Sequence, residues 1–388
     1  MLKMKNYKTN NTMSNISSAA FADTKPHYNL LDGLRGVAAL MVMWYHIFEG
    51  FATSPIDQNF NHGYLAVDFF FVLSGFVIGY AYDDRWNKTL TMKGFFKRRL
   101  IRLHPMIILG AVLGFITFML QGSVKWDGTH VATSAAMLAM LCTLFLIPAA
   151  PGANNEIRGN GEMFPINGPY WSLFFEYIGN ILYALFIHRI STKALATLTA
   201  VMGVLLASFA IGNFSGTGSL GVGWSMCDYN FPGGMLRMMF SYSAGMLLSR
   251  IFRPTRIRGA FWLCSAIIVA IVCVPHIGGE ANPWMNGIYD SICVILVFPC
   301  LVWLAASGQT TDKASTAVCR FLGDISYPLY VVQYPIMYLF YSWLWKDGLT
   351  FQQAWPVALG VYCGNILLAY LCLKLYDEPV RKWLRKVW

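Results

Sequence analysis

The chain has 388 residues, of which 56% are hydrophobic and only 12% charged, yet its net charge is +10. Soluble domains carry about 25% charged residues, so these charges are too few to cover a water-facing surface. The apolar content also excludes disorder over most of the length, and the composition points to a polytopic membrane protein.

Residues 1–27 are polar and basic, and no apolar core follows their lysines. They read as a flexible basic cytoplasmic tail rather than a cleaved signal peptide. Residues 28–388 read as one integral membrane domain. A membrane-spanning helix needs about 20 mostly apolar residues. Eleven stretches qualify or nearly do: about 31–51, 64–82, 103–121, 131–149, 169–187, 194–212, 233–249, 259–276, 286–306, 321–345 and 353–373.

Short cytoplasmic loops are enriched in Lys and Arg, which chooses among arrangements. If all eleven stretches cross, the basic residues divide evenly between the two sides. If 131–149 does not cross, 25 of the 29 fall on the side of the termini, and only Lys125, Arg158, Arg237 and Lys346 lie opposite. The expected fold is therefore an all-α bundle of about 10 transmembrane helices plus one non-spanning or re-entrant segment near 131–149. Both termini are expected in the cytoplasm. On this division the basic excess reflects topology and a phosphate-binding mouth, not nucleic acid.

Nine Cys lie mostly inside apolar runs with no CxxC pair, so they act as small hydrophobes and not as a disulfide framework. The seven His show no ligand spacing with Cys or carboxylate, so no metal site is expected.

Ionisable residues inside a membrane are costly and mark function by default. In LLDGLRGVAALMVMWYHIFEG, Arg35 and His46 are 11 residues apart, three helical turns with about 20° of drift and about 16 Å of rise. They share a stripe that suits a long ligand with an anionic head, the alternative being a topology anchor and a packing histidine. Asp68 in HGYLAVDFFFVLSGF and Glu176 in PYWSLFFEY are expected at the depth of His46. A carboxylate there would fix the imidazole tautomer and prepare a general base. The competing explanation is a structural charge pair, with Arg237 or Asp290 as a member.

Lys97, Arg98, Arg99 and Arg102 crowd the cytoplasmic start of the third stretch, in KGFFKRRLIRLHP. Arg98 and Arg102 are i and i+4, a spacing suited to clamping phosphates, although such clusters more often set topology and contact anionic lipid. In GDISYPLYVVQYPI two prolines are expected to break a span and open a cavity. The GxxxG pairs Gly75/Gly79 and Gly110/Gly114 would allow close helix packing.

Taken together, Arg35–x10–His46, VDFFFVLSGF at 67–76, FFKRRLIRLHP at 95–105, WSLFFE at 171–176, DISYPLYVVQYP at 324–335 and DEP at 377–379 resemble the membrane-bound acyltransferase 3 family of acyl-CoA-dependent O-acyltransferases. The resemblance runs from Leu30 to about Arg381. It implies transfer of an acyl group, usually acetyl, from cytoplasmic acyl-CoA to a hydroxyl at the outer face, commonly on a surface or exported glycan of the bacterial cell envelope.

On this resemblance His46 matches the essential histidine and Arg35 its paired arginine. With Asp68 and Glu176, His46 forms the expected catalytic set. Arg35, Arg98, Arg99 and Arg102 are expected to bind acetyl-CoA, and Trp171, Ser172 and Gln333 the acceptor. Gln333 stands where the family often has histidine, and a glutamine cannot shuttle a proton, so His46 is expected to be the lone catalytic imidazole. No appended soluble esterase-like domain is expected. Expected partners are acyl-CoA, a carbohydrate or lipid-linked glycan acceptor and membrane lipids, in the bacterial cytoplasmic membrane. A transporter or flippase for a glycan precursor would also use intramembrane His and carboxylates, but no paired halves are visible.

Overall fold

A computed structural model describes residues 28–388, apart from positions 87, 254, 256, 310 and 311. The expected tail, 1–27, lies outside the described residues. The described chain is mostly helical: α1 (Asn29–Glu49), α2 (Ala66–Tyr82), α3 (Met92–Leu120), α4 (Thr133–Leu144), α5 (Tyr170–Leu185), α6 (Thr192–Ile211), α7 (Asn230–Ile251), α8 (Ala260–Val272), α9 (Trp284–Ile292), α10 (Phe298–Ser307), α11 (Lys313–Lys346), α12 (Phe351–Cys372) and α13 (Glu378–Val387). A two-residue parallel ladder, Ile257 with Gly308 and Arg258 with Gln309, ties the segment before α8 to the end of α10.

Six helical stretches among the described residues are long and apolar enough to cross a membrane: Asn61–Arg85, Met92–Leu120, Tyr170–Arg189, Thr192–Ile211, Trp284–Ser307 and Phe351–Val387. Large apolar side chains such as Val204, Leu359, Leu367 and Leu375 stand exposed on them, as a lipid-facing surface requires. Helices α1, α7 and α11 have 21, 22 and 34 residues, enough length to cross. They are more polar because they lie inside the bundle and turn charged or hydroxyl side chains toward one another and toward cavities. Helix α4 has 12 residues, about 18 Å of rise, and cannot cross an apolar core of about 30 Å. Helix α8, expected as a span over 259–276, stops at Val272 after 13 residues. Pro275 and the positive-φ glycines Gly278 and Gly279 follow it.

Local chemistry starts several helices. Thr91, Ser191 and Asp312 accept hydrogen bonds from the backbone N–H groups of Gly94, Ala194 and Ser315, and Thr350 with Gln353 closes a capping box. Packing is then set by small residues. A methyl group at Gly36 would sit 2.3 Å from the Leu322 carbonyl oxygen, and one at Gly75 would sit 2.0 Å from that of Tyr242. Glycine thus lets α1 lie against α11 and α2 against α7, the two most extensive helix pairings in the bundle. A methyl group at Gly79 would meet Ser249 of α7 and one at Gly110 would meet Tyr170 of α5 and Val331 of α11, whereas Gly114 packs against Ile166 of the loop before α5. The Gly75/Gly79 pair thus lies at a helix contact and the second pair only in part.

One expectation about α11 fails. It runs unbroken through Pro328 and Pro335. Proline removes the N–H that would bond the carbonyl four residues earlier. For Pro335 that carbonyl belongs to Val331, and the Asn167 side-chain amide donates to it at 2.8 Å. A neighbouring segment supplies the missing donor, so the helix continues where the sequence implied a break.

Candidate active site

Two cavities meet inside the bundle, of about 300 and 320 Å³. The first lies at the N-terminal end of α1 and is lined by Arg35, Arg99, Arg102, Arg320 and Arg381 together with Ser172 and Glu176. The second lies at the C-terminal end of α1 and holds His46, Glu49, Trp171, Arg237 and Tyr334. Arg35 and His46 therefore occupy neighbouring chambers along one helix. Val67 and Tyr330 line both.

In the histidine chamber, His46 Nδ1 lies 2.7 Å from a carboxylate oxygen of Glu49, one turn further along α1. The Tyr341 hydroxyl reaches the same oxygen at 3.1 Å and also bonds the main-chain oxygen of His46. Tyr334 packs edge-on against the imidazole with ring centroids 4.6 Å apart. A carboxylate accepts only, so Nδ1 carries the proton and donates it. That leaves Nε2 as the free lone pair, the arrangement of a general base. The side chain is 15% exposed, so it is positioned but reachable.

Asp68 is not the partner of this imidazole. It is fully buried and holds Arg237, with contacts of 3.1 Å to Nε and 2.6 Å to a terminal nitrogen. Arg237 also donates to the carbonyls of Val222 and Tyr64, both at 2.7 Å, and its guanidinium lies 5.0 Å from the centre of the Trp171 ring. The two charges are neutralised in a fully bonded cluster that joins α2, α5 and α7 and forms one wall of the chamber. This is the structural charge pair weighed from the sequence, with Arg237 as the partner.

Glu176 does not stand at the depth of His46 either. It lines the arginine chamber, where Arg99 donates to it at 2.6 Å and Ser74 at 2.7 Å. Counting from the start of α5 gives the position of Glu176 along that helix but not its height relative to α1, which only the packing of the two helices decides. Arg35 donates to Ser326 at 2.8 Å and to the Gly323 carbonyl at 3.2 Å, and pairs with Asp32 at 3.1 Å. Arg381 pairs with Asp377 at 2.7 Å. Arg102 and Arg320 are exposed and make no direct hydrogen bond or ion pair with any described residue. They are the cations of this chamber left for an anionic ligand. Arg98 is half-buried and does not line the cavity, so Arg99 and Arg102 form the edge, and not Arg98 and Arg102.

The three expected acceptor residues separate. Trp171 faces the histidine chamber and Ser172 the arginine chamber. Gln333 is fully buried, lines neither, and neither polar atom of its amide has a hydrogen-bond partner among the described residues. Sequence reasoning passed over Glu49, although an acid three residues after a histidine on a helix shares its face. It also passed over Tyr330 and Tyr334, which carried no signal apart from their place in the DISYPLYVVQYP block. Among the described residues no group of three His, Cys, Asp or Glu is placed to hold a metal ion.

Fold and site together describe an integral membrane protein with a histidine-bearing chamber beside an arginine-bearing one. The chain belongs to the acyltransferase 3 family: residues 28–374 match the family model of this acyltransferase domain. A Rhizobium radiobacter protein named for its place as the second in the picA locus is 37% identical over 183 residues, 46% of this chain and 91% of that protein. The acyltransferase MdmB of Streptomyces mycarofaciens is 24% identical over 89% of this chain and 87% of its own length. A Staphylococcus aureus (strain COL) protein with a provisional O-acetyltransferase name is 23% identical over 91% of this chain, which spans 57% of that relative. No solved structure matches.

Proposed function

We propose that this acyltransferase moves an acyl group, acetyl in the family's usual form, from acyl-CoA to a hydroxyl of a surface or exported glycan, working in the bacterial cytoplasmic membrane. The observation that carries the reading is the pairing of His46 with Glu49 in one chamber, next to a second chamber with two arginines that pair with no described residue. Arg102 and Arg320 hold the phosphates of the donor, with Arg35 further in. The division of Lys and Arg along the sequence supports a cytoplasmic arginine mouth and an outward histidine chamber.

The acceptor hydroxyl enters the histidine chamber, where Trp171 offers an aromatic face beside polar side chains such as Asn61 and Asn160. His46 Nε2 takes the hydroxyl proton as the oxygen attacks the thioester carbon. The C–O bond forms, the C–S bond breaks, and the proton passes from Nε2 to the departing thiolate. Glu49 holds Nδ1–H throughout and balances the imidazolium that forms between the two transfers. Asp68 and Arg237 keep the wall in place, and Glu176 orients Arg99.

The test uses the full chain purified in detergent with radiolabelled acetyl-CoA. Wild type is expected to bind the donor and release CoA, and His46→Ala to bind but not release. CoA release by His46→Ala at the wild-type rate would overturn the assignment. Label trapped covalently on His46 without acceptor would replace direct transfer by an acyl-imidazole route.

A further inference from the structure

Among the described residues, Val67 of α2 and Tyr330 of α11 alone line both chambers. Both are nearly inaccessible, at 5% exposure each. The Tyr330 hydroxyl lies 2.6 Å from Ser172 Oγ and 3.1 Å from the Pro169 carbonyl, and the Ser172 hydroxyl lies 3.0 Å from that same carbonyl. Its ring meets Phe70 edge-on, with centroids 5.7 Å apart. The ring is thus pinned at the hydroxyl by the start of α5 and on its face side by α2.

We infer that Tyr330, backed by Val67, is the constriction between the donor and acceptor chambers and sets the length of acyl chain that can reach His46. The inference rests on the acyl-transfer reading above. A phenol tethered through its hydroxyl can swing aside only when its bonds to Ser172 and Pro169 break. The passage therefore opens for a short, narrow group and resists a long one, which needs the ring held aside along several methylenes. Val67 is too short to close the gap by itself but limits its width from the opposite helix.

This assigns Tyr330 a specificity role distinct from that of Tyr334. Tyr334 lines only the histidine chamber and packs on the imidazole, so its loss should lower turnover of every donor alike. The experiment compares CoA release from acetyl-, butyryl- and octanoyl-CoA by the full-length protein, with water and methyl glucoside as acceptors. Wild type should discriminate steeply against octanoyl-CoA. Tyr330→Ala should raise the octanoyl-to-acetyl ratio of kcat/KM at least tenfold. Val67→Ala should raise it by a smaller factor, and Tyr334→Ala should leave it unchanged.

Tyr330→Phe keeps the ring and removes both tethers, so it tests the idea even if the alanine variant does not fold. It should raise the ratio about threefold. A folded Tyr330→Ala or Tyr330→Phe protein with the wild-type ratio overturns the constriction while leaving acyl transfer intact. If wild type neither binds acetyl-CoA by calorimetry nor releases CoA, the acyl-transfer reading falls and the constriction falls with it.

Discussion

Replacing Glu49 by Gln tests the site most directly, because it changes one charge and almost no volume. The Nδ1 contact is 2.7 Å, and hydrogen bonds to charged groups contribute about 1.5–3 kcal/mol. Glu49 is 37% exposed on its side chain, and solvent screening places the effect at the lower end of that range. A loss of about 1.5–2 kcal/mol in the transition state, where the imidazole is cationic, lowers kcat about 10- to 30-fold. The KM for acetyl-CoA should stay near wild type, since the arginine chamber is untouched. Steady-state CoA release with varied donor measures both constants. The reasoning is refuted if Glu49→Gln stays within twofold of wild type in kcat. It is equally refuted if Glu176→Gln, in a protein that still folds, reproduces the kcat-only loss expected of Glu49.

Three further outcomes follow from the same geometry. Asp68→Asn leaves Arg237 buried without its counter-charge and should cost about 3–5 kcal/mol, read as a large fall in melting temperature in detergent; Asp68→Asn combined with Arg237→Met should recover part of it. Arg102→Ala and Arg320→Ala should each raise the KM for acetyl-CoA several-fold with little change in kcat, and added salt should narrow the difference from wild type. Hydrogen bonds from Ser315 hold the exposed Asp312 carboxyl below the ordinary aspartate range. Its stabilising effect at the start of α11 is therefore present above about pH 4 and lost as pH falls through the lowered value. The melting-temperature gap between wild type and Asp312→Asn should close on acidification, and a gap that widens would contradict this account.

The energetic logic of the bundle explains why its more polar long helices are packed inside it. Helices α1, α7 and α11 carry the groups that a lipid-facing helix could not tolerate. The protein buries those groups against a neighbouring helix, as with Arg237 of α7 against Asp68 of α2, or turns them into the two chambers, as with Arg35 and His46. The outer helices α3, α6 and α12 face outward with apolar side chains. A hydropathy scan therefore misses α1, α7 and α11, although it does find α2, which is both apolar and buried.

Much of this was legible in the chain itself. Hydrophobic runs of about 20 residues announce membrane helices because a bilayer leaves backbone polar groups no partner outside the helix. Arg35 and His46 lie 11 residues apart on one helix, so their placement in adjoining chambers follows from helical geometry. The acyltransferase 3 motifs were equally plain, since they are contiguous blocks.

What crosses between helices was not legible. The carboxylate that pairs with His46 is Glu49, while Asp68 and Glu176 take Arg237 and Arg99 as partners. The loop residue Asn167 keeps α11 continuous through Pro335. Tyr330 closes the space between the chambers only because α2 and α5 reach it from two sides. Periodicity along one helix determines which side chains share a face, but not which helix meets that face or at what height. Close contacts at residues such as Gly36 and Gly75 help to settle those heights for α1 against α11 and for α2 against α7, and with the second the pairing of Asp68 with Arg237.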